Sequence, residues 1–289
     1  MDKIPPFLIF KTSKDLESFL KRKSEPIREN GVEYCVFSNF RRNRLLFTAE
    51  HAITKKVFLP SLGKKAYAGV GDVNTDILAK LGAIFNRSAY VMPLFCRIDA
   101  DASRDPKELG KGLRLFVHTH GTKKQKYVFL PIHRNKNFLP YLINYHKIIE
   151  SLNPRILISV HGVSIKRKFD LILGFGRNYM GIGGKKNAFK FKIEFLEFLD
   201  RVFNSLGMKN NLEIVVSTWR FTGSMNFVLT SHVIDYNKKN SDKRRLGFQV
   251  EFNYRGRVSK FDKRLPSPEY QVTIQALGLF SLQWYRNNF

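Results

Sequence analysis

The chain has 289 residues, 43% of them hydrophobic and 26 of them phenylalanine, which is enough apolar material for the core of a globular protein. Its 50 Lys and Arg against 24 Asp and Glu give a formal net charge of +26. No run approaches the ~18 consecutive apolar residues of a membrane span, and the amino terminus lacks the pattern of a secretory signal. Its two cysteines, Cys35 and Cys96, exclude a disulfide framework and a cysteine zinc cluster. We therefore expect a soluble, cytoplasmic protein without a membrane partner.

Strand-like apolar runs alternate with segments of helical periodicity, which predicts an α/β fold with a mostly parallel, mixed sheet flanked by helices. In chain order, the predicted elements are strand Leu45–Thr48, helix Asp72–Phe85, strand Ala89–Phe95, helix Phe138–Leu152, strands Arg155–Val160 and Phe169–Gly174, helix Asn187–Leu206, strands Leu212–Ser217 and Leu246–Tyr254, and helix Ser267–Arg286. Two segments fall outside this alternation: Asp105–Arg134 is predicted to be an excursion from the sheet, and Asp235–Arg245 a polar loop. No linker divides the chain, so residues 1–289 are predicted to form a single domain.

Two histidines and a carboxylate lie in or at the ends of these predicted strands. His51 and His161 each follow a strand, and Glu251 lies on the polar face of a third. Ligands of open α/β sheets bind beyond the carboxyl ends of the strands. The three residues therefore suggest a metal-centred hydrolytic site, with the histidines as ligands and Glu251 as the general base. Taken singly, each also fits an ordinary hydrogen-bonded histidine or a solvent-facing glutamate.

Short motifs in a fixed order between about Leu45 and Tyr254 add to this reading. They are Leu46–Ala52, Asp72–Ala79, Arg97–Pro106, Ser159–Gly162, Gly174–Gly176 and Gln249–Glu251. In their order and spacing the chain resembles the N-formylglutamate amidohydrolase-like proteins. The resemblance covers most of the chain and implies the single α/β domain of zinc carboxypeptidase-like hydrolases.

The resemblance also implies zinc as the cofactor, with His51 and His161 as two of its ligands. The third ligand stays open. Carboxypeptidases place a glutamate three residues after the first histidine, and here that position is Thr54. Asp72 is the first choice and Glu50 the alternative, although an aspartate at the start of a helix is also favoured by the helix dipole.

Further residues are assigned to the substrate by the same resemblance. Arg97 and Arg104, spaced around Asp101, would bind a substrate carboxylate, because a guanidinium offers it a planar fork. Their structural alternative is pairing with neighbouring aspartates. His232 lies where the family carries a substrate-side loop, and Glu251 would be the general base.

Three positions depart from the family pattern. Ser103 replaces the usual asparagine before the second arginine, and Cys96 replaces a common serine. Ser159 stands where the family often has an aspartate, two residues before the second histidine. A carboxylate there can orient a metal ligand, which a serine does less well.

Two motifs outside the resemblance have plainer explanations. His118 and His120 would lie on one face of a strand, where such a pair can chelate a metal but is more often incidental. The glycines of Gly181–Gly184 can let backbone amides approach an anion, but they lack the Rossmann spacing, which favours a plain loop.

The sequence thus predicts a zinc-dependent amidohydrolase that cleaves a C–N amide bond in a small anionic substrate, such as an N-acyl amino acid. The alternative is a basic nucleic-acid-binding protein on a hydrolase-like scaffold with a degenerate site. Its basis is the net charge of +26, which attracts nucleic acid unspecifically. Basic runs usually mark solvated faces, however, and the chain has no RNP, KH or zinc-finger pattern.

Overall fold

The computed structural model describes residues 6–53, 55–58, 67–97, 99–108, 113–117, 126–130, 136–163, 168–217, 223, 226–241, 244–259 and 261–289. Of the helices within these ranges, none combines the length and the apolar composition needed to cross a bilayer.

The described strands form one large sheet and two two-stranded antiparallel sheets. They are β1 (Ile27–Glu29), β2 (Val32–Val36), β3 (Leu45–Thr48), β4 (Lys55–Phe58), β5 (Tyr67–Val70), β6 (Ala89–Pro93), β7 (Leu113–Val117), β8 (Lys126–Leu130), β9 (Ile156–Val163), β10 (Leu171–Gly174), β11 (Ile214–Val216) and β12 (Leu246–Asn253). Eight of them pair in the order β1-β2-β6-β3-β9-β12-β10-β11, while β4 pairs with β5 and β7 with β8. The neighbours β6, β3, β9 and β12 run parallel, as do β10 and β11, and the other pairs are antiparallel. The predicted mixed α/β fold is confirmed.

Helices connect and cover these strands. They are α1 (Ser13–Lys23), α2 (Phe40–Asn43), α3 (Thr75–Phe85), α4 (Leu139–Leu152), α5 (Lys185–Ser205), α6 (Phe227–Leu229), α7 (Asp235–Lys239), α8 (Tyr254–Arg257) and α9 (Pro268–Asn288). A π-helical stretch, Thr230–Ile234, joins α6 to α7. Local signals set several of their ends. Ser267 caps α9 by accepting a hydrogen bond from the Tyr270 N–H, and α4 ends at Asn153 in left-handed backbone just before Pro154.

The two faces of the large sheet pack against different helices. α3, α5 and α9 cover one face, where Phe47, Phe191 and Phe248 are fully buried. α4, α6 and the π-helical stretch cover the other, around Leu157 and Val233. Side chains on a strand alternate between its faces, so both layers bury apolar residues of β3 and β9. This packing fixes the positions of the carboxyl ends of the parallel strands.

Two predicted boundaries near the candidate site were wrong. Strand β9 does not stop before His161 but continues to Val163, because its last residues pair with β12. Helix α3 begins at Thr75 rather than at Asp72, because Asn74 takes left-handed backbone at the helix start. Asp72 thus precedes the helix, and its side chain is free to turn toward the sheet.

Other segments differ from the predictions more broadly. Helix α1 and strands β1 and β2 precede Leu45, a region to which the sequence analysis assigned no element. Asp235–Arg245 was predicted as a loop, but its first half is helix α7, continuous with the π-helical stretch. The predicted excursion over Asp105–Arg134, by contrast, agrees with the structure, where the described strands β7 and β8 pair with each other outside the large sheet.

Candidate metal centre

Three potential metal ligands meet at the carboxyl ends of the parallel strands. The Asp72 Oδ2 atom lies 3.4 Å from His51 Nδ1 and 3.5 Å from His161 Nδ1. One ligand atom from each residue lies within 4.8 Å of the others. Ligand atoms of a tetrahedral zinc ion, each about 2.0–2.1 Å from the metal, are about 3.4 Å apart. The donor types and their spacing therefore suit a zinc-sized cation between the three side chains.

Each of these ligands is brought to the site by a different segment. His51 follows β3, and His161 lies near the end of the adjacent strand β9. Asp72 arrives from the segment before α3, where its N–H donates to the His51 carbonyl at 2.6 Å. Its Oδ2 also accepts a hydrogen bond from the Gly162 N–H at 3.0 Å. Backbone contacts thus tie the carboxylate to both histidine-bearing segments.

The other ring nitrogen of each histidine contacts a second carboxylate. His51 Nε2 lies 2.8 Å from Asp101 Oδ1, and His161 Nε2 lies 3.1 Å from Glu50 Oε2. In a neutral ring whose proton lies on Nε2, next to that carboxylate, the Nδ1 lone pair would face Asp72 and be available to a metal. This is the arrangement in which protein carboxylates orient metal-binding histidines. Glu50 therefore lies on the outer side of His161, and Asp72 is the carboxylate that faces both Nδ1 atoms.

The position of Glu50 explains how Ser159 fits the site. The Ser159 hydroxyl lies 2.9 Å from both Glu50 carboxylate oxygens, and the Thr48 hydroxyl donates to Glu50 Oε1 at 2.6 Å. Glu50 is buried, with 1% of its surface exposed, so these hydroxyl donors replace water. Ser159 thus helps to hold Glu50, and Glu50 provides a carboxylate next to His161.

Electrostatics keep this cluster charged despite its burial. Burial by itself disfavours the charged form of all these groups. For Asp72 the contacts with His161 and His51 outweigh burial and hold its pKa well below the ordinary range. Asp101, beside His51 and Arg97, likewise has a pKa well below its usual value. Burial lowers the pKa of His161, but the Glu50 and Asp72 carboxylates raise it by more. The pKa of His161 is therefore well above its usual value. The carboxylates of Asp72, Asp101 and Glu50 thus stay negatively charged, which favours a cation between them.

Glu251 lies beside the cluster rather than in it. It is the register partner of His161 in the neighbouring parallel strand, and it is buried. Its Oε1 accepts a hydrogen bond from Gln249 Nε2 at 3.0 Å. Burial and the nearby Asp72 carboxylate raise the pKa of Glu251. A carboxylate with a raised pKa takes up a proton more readily, which suits a general base.

The two arginines predicted to bind substrate converge on Asp101. Arg97 Nε donates to Asp101 Oδ2 at 3.1 Å, and Arg104 Nε lies 3.9 Å from the same oxygen. Ser103 donates to Asp101 Oδ1 from both its hydroxyl and its N–H. The arginine side chains remain 24% and 15% exposed. They hold the carboxylate that orients His51, and a guanidinium group carries five N–H donors in all.

His232 is buried in contact with His146. Its Nε2 lies 3.2 Å from Nδ1 of His146 on α4, and the two rings stack with centroids 5.5 Å apart. Burial lowers the pKa of His146 to about 4. Burial, with the neighbouring His146 and Arg245, lowers the pKa of His232 to about 3. The pair is thus neutral in the folded protein at neutral pH.

This neutral pair predicts a loss of stability in mild acid. Both pKa values lie below the value of about 6.5 in the unfolded chain, so the unfolded state binds more protons between pH 6.5 and 4. The stability that comes from keeping both rings neutral is fully present above about pH 6.5. Below that pH the free energy of unfolding should fall by up to about 2.7 kcal/mol per pH unit. Urea unfolding across this range measures the slope. The double variant His146→Leu/His232→Leu should flatten it, and an equal slope in that variant would assign it to other groups.

Arg257 was not singled out in the sequence, but it ties the site together. Its guanidinium donates to the carbonyl oxygens of Phe252, Val73 and Val163. Phe252 directly follows Glu251, Val73 directly follows Asp72, and Val163 lies two residues after His161. The side chain is 3% exposed and lies over Gly162, where a Cβ atom would overlap it. No local pattern in the sequence marks this role, because the three carbonyls come from distant segments.

Thr54, His118 and His120 lie outside the described residues. Gly181, by contrast, is described and packs against the Gly247 carbonyl, so the glycine there serves close backbone contact with β12.

Comparison with known proteins gives a likeness of fold. No family model matches the chain, and no curated protein matches it in sequence. A gene product from Agrobacterium tumefaciens has a similar structure, with a TM-score of 0.52 and 10% identity over 89% of this chain and 94% of that one. The N-formylglutamate amidohydrolase from Ralstonia eutropha gives a TM-score of 0.49 and 13% identity over 90% and 98%. The murein-tripeptide amidase from Escherichia coli gives 0.41 and 11% over 85% of each chain.

Proposed function

We propose that this protein is a metal-dependent hydrolase that cleaves a C–N amide bond in a small, carboxylate-bearing substrate. The observation that carries the proposal is the triad of the buried His51 and His161 with the half-buried Asp72, whose donor atoms face one another. Asp101 and Glu50 support it from the outer sides of the two histidines. Zinc is the proposed metal, because two imidazoles and one carboxylate are ligands that catalytic zinc sites use.

The protein's own residues would have separate tasks in such a reaction. A bound zinc ion would supply Lewis acidity toward the amide carbonyl and lower the pKa of water toward ~7. Glu251, buried beside His161 with a raised pKa, would accept the proton of the attacking water and pass it to the leaving nitrogen. Gln249 holds the Glu251 carboxylate in place through its hydrogen bond.

Arg97 and Arg104 would select the substrate by its negative charge. Both approach Asp101, which contacts His51, so they lie on the His51 side of the triad. A substrate carboxylate bound there would lie on the His51 side of the proposed metal, and we expect the amide bond of the same substrate to extend toward Glu251 on the His161 side. This favours N-acyl amino acids as the substrate class, since they carry both groups close together.

An assay with matched substrates tests the function. Zinc-loaded protein should hydrolyse N-formyl- or N-acetyl-glutamate and release the free amino acid. In the variant Arg97→Gln, kcat/KM for the acid should fall about 10–100-fold, as expected for a lost charged hydrogen bond. The same variant should show little change with an analogue whose α-carboxylate is amidated.

Two outcomes would count against these assignments. An equal loss with both substrates would mean that Arg97 acts only through Asp101 and His51. Absence of turnover across a panel of N-acyl amino acids, in protein shown to contain zinc, would remove this substrate class.

A further inference from the structure

The edge of the sheet at which the parallel strands begin, opposite the candidate metal centre, is lined with arginines. Arg44, Arg155 and Arg245 directly precede the parallel strands β3, β9 and β12, and Arg87 lies two residues before β6. The strand starts are adjacent, since Leu45 and Leu246 both pair with Ile156. Neighbouring strands are ~4.8 Å apart, so the four starts extend over roughly 14 Å. Polymeric anions carry charge over comparable lengths.

A pocket of about 560 Å³ opens at this edge. Arg42, Arg87 and Arg286 line it together with apolar Phe85, Leu279 and Leu282, and its described lining contains no carboxylate. The three arginines are exposed and come from α2, from the residues after α3 and from α9. The fold thus brings three positive charges from distant segments to one concave surface.

Among the described residues, ion pairs do not account for these three arginines. The arginines whose ion pairs are seen among the described residues are Arg28, Arg97, Arg104, Arg255 and Arg264. At the same edge, Arg44 and Arg245 donate to backbone carbonyls and so support the fold. Arg87 adopts left-handed backbone, with φ of 48°, where glycine or asparagine is usual after a helix.

The helix ends nearby explain part of this arrangement. The carboxyl ends of α2, α3 and α9 each carry about half a negative charge, which favours a nearby cation. Three full positive charges exceed that sum, so the pocket keeps a net positive field. A preference for a cation at each helix end does not require that the three arginines line the same pocket.

We propose that this surface, which we call the arginine edge (Arg42, Arg87, Arg155, Arg244 and Arg286), binds the phosphodiester backbone of a nucleic acid. A polymer fits better than a small phosphate because the exposed arginines continue past the pocket to Arg155 and Arg244. The Tyr285 hydroxyl donates to the Arg244 carbonyl, and its ring stacks on Phe289 with centroids 5.3 Å apart, next to Arg286. Proteins that bind single-stranded nucleic acid stack its bases on aromatic rings that lie beside basic side chains. The site is separate from the proposed metal centre and does not depend on its activity.

Two triple variants with equal charge test the location. Arg42→Gln/Arg87→Gln/Arg286→Gln removes the pocket cations, and Lys21→Gln/Arg22→Gln/Lys23→Gln removes three exposed charges from the end of α1. Each lowers the formal charge by three, from +26 to +23. The probe is a fluorescein-labelled single-stranded DNA of about 16 nucleotides, followed by anisotropy across a range of salt concentrations.

The pocket variant should bind this DNA at least about tenfold more weakly than the parent, with the slope of log K against log salt reduced by about 2. That reduction follows from roughly 0.7 per phosphate contact for a single strand and three lost contacts. The α1 variant should stay within about threefold of the parent. The charge-retaining variant Arg42→Lys/Arg87→Lys/Arg286→Lys should also bind, which separates a lost contact from a misfolded pocket.

Several results would overturn the proposal. Equal losses in the two glutamine variants would attribute binding to net charge alone, and no loss in either would remove the arginine edge as the site. Displacement of the DNA by an equal concentration of a mononucleotide or of inorganic phosphate would identify the pocket as a site for a small phosphorylated ligand instead. Zinc content, measured in parallel, should be the same in every variant.

Discussion

Replacing both His51 and His161 with alanine is expected to abolish metal binding and hydrolysis together. The parent should contain about one zinc ion per chain after incubation with zinc and removal of the excess. The double variant removes both nitrogen donors that face Asp72 and leaves one carboxylate, which does not retain zinc by itself. Elemental analysis of purified protein, with competition against a chelator for the affinity, measures the difference.

Single variants can then separate the ligand from the residues that orient it. Asp72→Asn should lose zinc about as fully as a histidine variant, because Asp72 Oδ2 faces both Nδ1 atoms. Glu50→Gln should keep the site but weaken zinc affinity about 10–100-fold, the usual cost of losing a carboxylate that orients a histidine ligand. The reverse order would make Glu50 the third ligand.

His232→Ala provides the matched control for these histidine variants. It also removes a buried imidazole, but its partner is His146 and not a member of the triad. Zinc content should therefore be unchanged, even if stability falls. A parent protein that takes up no zinc would contradict the proposed function, and the similarity of fold would then remain without a metal site.

The strands that carry the site were predictable because their signals are local. Leu45–Thr48 is a short apolar run before a polar pair, and the prediction matched strand β3 residue for residue. The alternation along β12 placed Glu251 on the face opposite Phe248 and Val250, which pack in the core. Buried parallel strands are continuous apolar segments, so they can be found without knowledge of their neighbours.

The connections within the site could not be predicted in the same way. That Glu50 contacts His161 depends on how β3 and β9 lie beside each other, and this pairing is not encoded near either residue. The Arg257 contacts have the same origin, since they join three segments that are far apart in the chain. Asp72 looked like a helix-start residue, because the left-handed backbone at Asn74 that delays the helix has no strong local signal.

Glu251 presents a different problem, since its strand was predicted but its burial was not. A polar face on a strand usually meets solvent, yet Gln249, Glu251 and Asn253 are all buried. Asn226, at the start of α6, accounts for part of this, because its amide approaches His161, Ser159 and Gln249. A helical segment more than 20 residues away in the sequence covers the polar face and turns it into the wall of a site.

Glu251→Gln is expected to separate catalysis from metal binding. Glutamine has nearly the same shape but cannot accept the proton of the attacking water, so kcat should fall about 10²–10⁴-fold. Zinc content should not change, because Glu251 is not one of the three residues whose donor atoms face one another. Stopped assays with N-acetyl-glutamate, beside elemental analysis of the same sample, measure both quantities.

The fold should tolerate this change, which makes the result interpretable. Burial disfavours the charged carboxylate of Glu251, so a neutral amide costs the folded state little. The Gln249 amide can donate to the new side-chain carbonyl as it now donates to Glu251 Oε1. The midpoint of thermal unfolding should therefore stay close to that of the parent.

Glu251→Asp is the control that separates the need for a carboxylate from the need for its position. It keeps a carboxylate but draws it back by one methylene, so activity should fall between those of the parent and Glu251→Gln. Full activity in Glu251→Gln would show that another group accepts the proton. Loss of zinc in the same variant would instead place Glu251 among the ligands and remove it as the general base.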